Sequence, residues 1–425
     1  MSRGVREPIC VNHAAAQTLY AVGLQWRCSM RACWLAWLLL CASPACLAAL
    51  TDETLDIDGT SRRFLVHDYS QGKPTSLVIL LHGGGGSGQN MVEQTGFDRV
   101  AQREGLIAVY PYGSSALFSN QLLTWNAGHC CAYALREKVD DVQFLRSLID
   151  HLIATRNVDP TRVYVTGLSN GGMMTHRVGI ALADKVAAIA PVISSVFGDE
   201  PERYYAMPVL LINGSDDVRV KVEGGDLEGF GIGPEPADLP TKPVAAQGDY
   251  WARVNGCKAF TDTSTTLYTL RSWSGCRVGG AVQSYLVNDQ GHAWPGGTQG
   301  RSNADKPVTT VDANELIWAF FKQFQRHADA VAAADSYYYV GELHVPAFSA
   351  GSTAYRARLD LSGAVPIEFA VQRLTPLPAG TATPSGSYDN GILRLTSVVV
   401  GSARYNATLL VLPQPPLRLR VLELL

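Results

Sequence analysis

The sequence lacks several signals by which large classes of protein are recognised. Its 35 lysines and arginines are matched by 38 aspartates and glutamates, so it carries no basic excess of the kind seen in nucleic-acid binders. No dinucleotide fingerprint is present, and the glycine run 83–86 is not followed by the Lys-Ser/Thr pair of a phosphate-binding loop. No cysteine and histidine cluster has the spacing of a metal site. We therefore expect neither a nucleic-acid partner nor a metal.

Charged residues are also missing from one long stretch near the N-terminus. Residues 32–50 carry no charge, are rich in Leu, Trp, Ala and Cys, and end just before a polar segment that begins at Thr51. This pattern is typical of a signal peptide, which we place at 30–49 behind an upstream extension of residues 1–29. A retained membrane anchor is the alternative, because the run is just long enough to span a bilayer. After cleavage we expect a secreted or periplasmic protein with no stable membrane association.

Five of the nine cysteines lie before Thr51, and four follow it. An even number in an exported chain predicts disulfides, and four cysteines allow three connectivities. Cys257 and Cys276 flank a strand-like segment, so we predict that they are paired. Cys130 and Cys131 are adjacent, and the sequence leaves open whether they form a vicinal bridge or stay reduced.

The middle of the chain alternates strand-like and helix-like segments. Buried strand patterns such as Leu77–Leu81 and Val209–Ile212 are separated by segments with apolar residues at helical spacing, such as Val142–Ala154. This alternation is typical of a mostly parallel sheet with covering helices. The sequence predicts an α/β catalytic domain over residues 50–327, followed by a linker at 328–335.

The last part of the chain, residues 336–425, repeats itself at a 50-residue offset. The segments that begin at Tyr355 and Tyr405 both read Tyr-x-Ala-x-Leu and alternate with period two, as strands do. One unit of this size buries too little surface to be stable alone. We predict a separable, small all-β domain of two tandem repeats.

One motif organises the catalytic domain. The strand-like residues Val163–Thr166 run into Gly167-Leu-Ser-Asn-Gly171, and a helix-like segment follows. This is the nucleophile-elbow pattern of the α/β-hydrolase fold, in which the serine is exposed on a tight turn between strand and helix. The sequence therefore predicts Ser169 as a nucleophile and the backbone N–H of Asn170 as an oxyanion donor.

Two later loops offer the partners that a nucleophilic serine needs. An α/β-hydrolase supplies its acid and then its histidine after the serine. The strand before Asn213 runs into a turn that contains Asp216 and Asp217, and either carboxylate could be the acid. His292 lies on a glycine-rich loop after a strand and would be the general base.

The glycine run near the start of the domain is expected to complete the oxyanion hole. We interpret His82 as a structural residue that fixes this loop, and Gly83 or Gly84 as a second oxyanion donor beside Asn170. Trp125 and Trp294 could line a substrate pocket, and packing in the core is the equal alternative.

Several of these motifs together resemble one known family. The chain is similar to the polyhydroxybutyrate depolymerase-like esterases of the LpqC group, near the feruloyl and acetylxylan esterases of carbohydrate esterase family 1. The matching segments are residues 82–88, 125–131, 139–142, 167–172 and 291–297. The resemblance implies Ser169 as nucleophile, Asp217 as acid and His292 as base. It also implies secretion and no cofactor.

The function expected from the sequence is that of a secreted serine esterase. Its leading substrate is a hydroxyalkanoate polyester or its oligomers, so the expected partner is an ester, polymeric or soluble. The alternative substrate is a feruloyl or acetyl ester of plant polysaccharide. An alternative of another class is an exported binding protein that works through its C-terminal β module.

Overall fold

The computed structural model describes most of the chain after the N-terminal segment. The described ranges are residues 49–117, 122–203, 205–227, 237–326, 335–381 and 386–425. The expected extension, nearly all of the expected signal peptide and all but the last residue of the expected linker lie outside these ranges. Within them, no helix is both long enough and apolar enough to cross a bilayer.

A ten-stranded sheet forms the centre of the catalytic region. Its strands, in chain order, are β1 Thr51–Ile57, β2 Thr60–Asp68, β3 Thr75–Leu81, β4 Ile107–Pro111, β5 Val158–Leu168, β6 Ala188–Val192, β7 Val209–Gly214, β8 Ala259–Ser264, β9 Tyr268–Ser274 and β10 Val282–Val287. They lie in the order β1-β2-β4-β3-β5-β6-β7-β10-β9-β8. The six strands from β4 to β10 in this order are parallel, and the two at each edge are antiparallel.

Helices cover both faces of this sheet. They are α1 Gly88–Thr95, α2 Asp98–Glu104, α3 Ala132–Arg136, α4 Asp141–Thr155, α5 Asn170–Ala181, α6 Val244–Val254 and α7 Ala313–Phe321. The strands β4, β6 and β7 are buried along their whole length, as expected for parallel strands covered on both faces. Two separate apolar cores result, one with α4 and α5 and the other with α2 and α7. The predicted α/β-hydrolase architecture is confirmed by this strand order and layering.

The C-terminal region is a closed β-barrel. Its eight strands are β11 Ser336–Tyr339, β12 Glu342–Ala350, β13 Thr353–Ala364, β14 Ile367–Pro376, β15 Gly386–Asp389, β16 Ile392–Val400, β17 Ala403–Leu412 and β18 Arg418–Leu424. Pairing of β11 with β16 and of β12 with β15 closes the sheet. The strands β15, β16 and β17 each begin 50 residues after β11, β12 and β13 respectively.

The barrel shares a buried apolar cluster with the catalytic region. Tyr337 and Tyr339 on β11 and Val399 on β16 belong to the same buried apolar cluster as α4 and α5. A buried ion pair between Arg177 and Glu342, with atoms 3.1 Å apart, adds a polar link. The physical reason is that β11 is aromatic on its buried side, and these rings need an apolar partner outside the barrel.

A disulfide lies near the edge of the first sheet. Cys257 and Cys276 are joined across the hairpin of β8 and β9, as predicted. The sulfur atoms of Cys130 and Cys131 are in contact.

Candidate active site

Ser169 lies on the sharp turn between β5 and α5. Its backbone has φ 56° and ψ −119°, a conformation that L-residues seldom adopt and that costs on the order of 1–3 kcal/mol. The flanking glycines make the turn possible, because a Cβ at Gly167 would collide with the carbonyl of Gly171. A Cβ at Gly171 would in turn collide with the carbonyl of Leu81 on β3. The side chain of Ser169 is thus held at the carboxyl end of the sheet.

His292 reaches Ser169 from the loop that follows β10. Its Nε2 lies 2.8 Å from Oγ of Ser169, within hydrogen-bond distance. The backbone N–H of His292 donates to Oδ2 of Asp305 at 2.6 Å, which fixes the loop at the residue that carries the imidazole. Asp305 could not be predicted from its local pattern, because its contact depends on how the loop between β10 and α7 folds back.

The carboxylate behind His292 belongs to Asp217. Its two oxygens lie 2.9 and 3.1 Å from Nδ1 of His292, and its side chain is 1% exposed. The backbone N–H groups of Arg219 and Val220 also donate to Asp217 Oδ1, so the loop after β7 orients this carboxylate. Asp216 instead is exposed and accepts a hydrogen bond from Oγ of Ser215. Of the two aspartates left open by the loop pattern, Asp217 is the one in contact with His292.

The expected oxyanion donors lie around the same serine. Asn170 is the first residue of α5, where backbone N–H groups lack partners within the helix. Gly83 approaches Ser169 so closely that a Cβ on it would lie 3.5 Å from the serine Cβ. Gly83 and Gly84 both line the cleft above Ser169. The backbones of Asn170, Gly83 and Gly84 are therefore placed near the reactive oxygen.

The side chain of Asn170 has a further contact that the sequence did not reveal. Its Oδ1 accepts the backbone N–H of Trp125 at 2.7 Å, and its Nδ2 donates to the Trp125 carbonyl at 2.9 Å. This pair of bonds fastens the segment around Trp125 to the start of α5.

His82 holds the glycine-rich loop, in line with its structural interpretation. Its Nδ1 donates to the carbonyl of Gly83 at 2.8 Å, and its Nε2 accepts the N–H of Gly113 at 3.0 Å. Only the neutral imidazole can accept at Nε2 while it donates at Nδ1. Burial lowers the pKa of His82 to about 4, which keeps this neutral form at physiological pH.

Trp125 and Trp294 lie in the core and do not line the cleft. Both indoles are almost completely buried. Nε1 of Trp125 donates to the carbonyl of His82, and Nε1 of Trp294 donates to Oδ1 of Asn314, each at 3.0 Å. Core packing, which was the alternative to a pocket role, therefore describes both residues.

The cleft itself is lined by small and polar side chains. Besides the residues already described, its walls include Asn90, Gln94, Leu168, Arg219, Arg301 and Asn303. No aspartate, glutamate or aromatic residue other than histidine is among the described lining residues. The sequence did not predict that Arg219 and Arg301 line the cleft, because their local sequence patterns do not differ from those of arginines on the solvent-exposed surface.

Among the described residues, no group of three or more His, Cys, Asp or Glu side chains is placed to hold a metal ion. What the fold does define is a class: a parallel sheet in this strand order, with a strained serine between β5 and α5, is an α/β-hydrolase.

Comparison with known proteins shows which esterases the chain is similar to. Residues 70–226 match the family described as esterase PHB depolymerase, a stretch that includes Ser169 and Asp217. The chain is 28% identical over 259 residues to feruloyl esterase B of Piromyces equi, which covers 59% of this chain and 42% of that protein. It is 29% identical over 277 residues to the putative esterase NocK of Nocardia uniformis subsp. tsuyamanensis, covering 60% of this chain and 77% of that one.

The resemblance to polyhydroxybutyrate depolymerase-like esterases, related to the feruloyl and acetylxylan esterases, is thus confirmed. The chain spans less than half the length of the first of these relatives. Among solved structures, the acetyl xylan esterase from Aspergillus awamori aligns with a TM-score of 0.42 at 15% identity, covering 58% of this chain and 94% of that one.

Proposed function

We propose that this protein is a serine esterase that hydrolyses carboxylic esters through an acyl-enzyme. The observation that carries the proposal is the continuous hydrogen-bonded chain from Ser169 Oγ through His292 to Asp217. In this mechanism His292 takes the proton of Ser169 as Oγ attacks the ester carbonyl, and then gives it to the leaving alkoxide. A water molecule, activated by the same imidazole, releases the acid and restores the serine.

The other expected residues have supporting roles in this proposal. Asp217 holds the imidazole in the tautomer with its proton on Nδ1 and stabilises the imidazolium that forms during attack. Backbone N–H groups of Asn170 and of Gly83 or Gly84 would bind the oxyanion of the tetrahedral intermediate. The esterases among the similar proteins support ester hydrolysis as the reaction.

For the substrate we propose a hydroxyalkanoate polyester or its oligomers. The small and polar lining of the cleft supports a short, hydroxylated acyl group, which can hydrogen-bond to such walls. The second candidate is an acetyl or feruloyl ester of polysaccharide, which the similarity to a feruloyl esterase favours. Between these two esters, the absence of phenylalanine, tyrosine and tryptophan from the described cleft walls favours acetyl.

We further propose that the chain is exported and that residues 50–327 and 336–425 are two domains joined by residues 328–335. The uncharged segment before Thr51 supports export. The shared 50-residue offset of strand starts supports an origin of the barrel in two tandem repeats.

Two measurements test the reaction. Hydrolysis of p-nitrophenyl butyrate, methyl ferulate and polyhydroxybutyrate films, followed side by side, ranks the candidate esters. Ser169→Ala should lower kcat by roughly 10⁴- to 10⁶-fold without unfolding the protein and should abolish labelling by a fluorophosphonate probe. A wild-type protein that does not label would instead support a binding protein that works through its β module.

A further inference from the structure

A second cleft lies between the catalytic region and the barrel, and arginines dominate its walls. Arg146 comes from α4, Arg356 and Arg358 come from β13, and Arg373 comes from β14. None of the residues that line this cleft also lines the cleft above Ser169. We call it the arginine cleft.

Three of these four arginines are paired with carboxylates. Arg146 binds Asp184 through two hydrogen bonds of 2.6 and 2.8 Å, Arg358 contacts Asp140 at 2.8 Å and also Glu342, and Arg373 contacts Asp58 at 2.7 Å. The carboxylate of Glu342 is shared, because it also accepts from Arg177 at 3.1 Å and from His344 at 2.9 Å. Each of these carboxylates therefore already has a cationic partner.

Arg356 is the exception. In the described part of the chain, no side chain or carbonyl forms a hydrogen bond or an ion pair with its half-buried guanidinium. Two carboxylates act on it electrostatically, those of Asp184 and Asp150, and each is paired with another cation: Asp184 with Arg146 and Asp150 with Lys185, both at 2.6 Å. Burial and the neighbouring charge of Arg146 lower the pKa of Arg356 to about 10, so it remains a cation at neutral pH.

The local charges do not balance without a further anion. Counting Arg177 with the four arginines of the cleft, five guanidinium groups face four carboxylates, those of Asp58, Asp140, Asp184 and Glu342. A guanidinium group carries five N–H donors, and leaving them without acceptors costs free energy when the group is partly removed from water. An anion in the cleft would accept hydrogen bonds from Arg356 and would also offset the electrostatic repulsion between Arg356 and Arg146.

We propose that the arginine cleft is a binding site for a carboxylate group, with Arg356 as its anchor. A planar guanidinium binds a carboxylate through two parallel hydrogen bonds, and a single added carboxylate supplies the one missing negative charge. The cleft has a volume of about 60 Å³, which is room for several waters or for one small group.

The remaining walls suit a hydroxylated acid. Gln143 and Thr375 offer polar side chains, whereas Tyr337 and Pro346 offer apolar surface. Tyr337 is itself held by stacking on His344, with ring centroids 4.6 Å apart. A sugar acid and the free carboxyl end of a polyester chain both present a carboxylate within two carbons of an oxygen-bearing carbon, so both are sources of the proposed ligand.

Titration of the full-length protein with D-glucuronate and with 3-hydroxybutyrate tests the site, with glucose as the neutral control. Binding is measured by calorimetry and by the shift in Tm, at constant ionic strength set with sodium chloride. We expect saturable binding of at least one acid and none of glucose. Arg356→Gln should weaken that binding at least tenfold. Arg394→Gln, which removes an exposed arginine from β16, should leave it unchanged.

The outcomes separate this proposal from simple charge effects and from the esterase proposal. Equal binding by Arg356→Gln and the wild type, binding of inorganic phosphate in preference to both acids, or no binding at all would overturn it. Binding of glucuronate alone identifies a sugar acid, and binding of 3-hydroxybutyrate alone identifies a polyester chain end. Hydrolysis of p-nitrophenyl butyrate should be the same in Arg356→Gln as in the wild type, so failure of one proposal leaves the other standing.

Discussion

Nδ1 of His292 lies 2.9 Å from Oδ2 of Asp217. The carboxylate of the next residue back, Asp216, instead accepts a hydrogen bond from Oγ of Ser215. Consecutive residues in an extended segment point their side chains to opposite sides, so only one of the two can reach the imidazole. We expect Asp217→Asn to lower kcat on a soluble ester by about 10⁴-fold, because the amide removes the charge and disturbs the tautomer.

Asp216→Asn is the matched control for that change. It should keep kcat within about twofold of the wild type, since Asp216 is exposed and its carboxylate accepts a hydrogen bond from Ser215. A larger loss of activity at Asp216 than at Asp217 would reverse the assignment of the acid.

A second prediction concerns the acid sensitivity that a buried histidine confers. His176 accepts the Nε1–H of Trp251 at Nδ1 and donates from Nε2 to Gln247, and burial lowers its pKa to about 4. Between pH 6.5 and pH 4 the unfolded chain therefore binds a proton at this residue that the folded chain does not. The stability that this residue contributes is complete above pH 6.5 and is lost as the pH falls.

His176→Gln should make the pH dependence shallower, because glutamine can offer a similar donor and acceptor without titrating. We expect the drop in free energy of unfolding between pH 7 and pH 4.5 to be smaller by about 2 kcal/mol in the variant. Denaturant titrations at several pH values measure this difference. An unchanged slope would show that His176 is not kept neutral by the fold.

The buried link between the catalytic region and the barrel gives a third prediction. Burial alone would raise the pKa of Glu342, but the hydrogen bond from His344 and the charges of Arg177, His344 and Arg358 outweigh it and hold the pKa well below its ordinary value. Glu342→Gln leaves Arg177 and His344 without a carboxylate partner and removes one of the two carboxylates that bind Arg358. We expect the change to cost about 3–5 kcal/mol in free energy of unfolding.

The control for this change is Glu368→Gln in the barrel, whose partner Arg420 keeps 42% of its side chain in solvent. Loss of such a surface pair should cost less than about 1 kcal/mol. Denaturation of both variants, compared at pH 7, decides the point. If Glu342→Gln is no more destabilising than Glu368→Gln, the buried link does not contribute to stability.

The disulfide between Cys257 and Cys276 supplies a fourth prediction. It closes a loop with a sequence separation of 19 around the β8–β9 hairpin. We expect the double change Cys257→Ser/Cys276→Ser to lower the free energy of unfolding by about 3 kcal/mol, mainly because the unfolded chain gains freedom. The midpoint of denaturation under non-reducing conditions measures the change. An equal midpoint for the wild type and the double variant would contradict it.

The sequence was most informative where local pattern and three-dimensional role coincide. The elbow around Ser169 could be predicted because the strained turn requires glycine on both sides of the serine. The residues that make the turn possible are therefore close to it in the sequence. The place of His292 followed from the known order of serine, acid and histidine in this class of fold. The pairing of Cys257 with Cys276 followed from the strand-like segment between them.

Other features depend on contacts that no local pattern contains. Trp125 could be read as a pocket or a core residue, and only the chain folding back over α5 buries it. Asp305 and Arg301 join the active-site cleft through a loop whose path is set by distant packing. The shared core of the barrel and catalytic region was missed because alternating β patterns do not show which strand has an apolar neighbour outside the barrel.

The ion pair between Arg177 and Glu342 also has an evolutionary consequence. The two residues are far apart in the chain, yet loss of Glu342 alone would leave the buried guanidinium of Arg177 without its carboxylate. A lineage that lost the barrel would have to lose the arginine as well. We therefore expect the arginine on the nucleophile helix and the C-terminal barrel to be inherited together, so that sequencing of relatives shows both or neither.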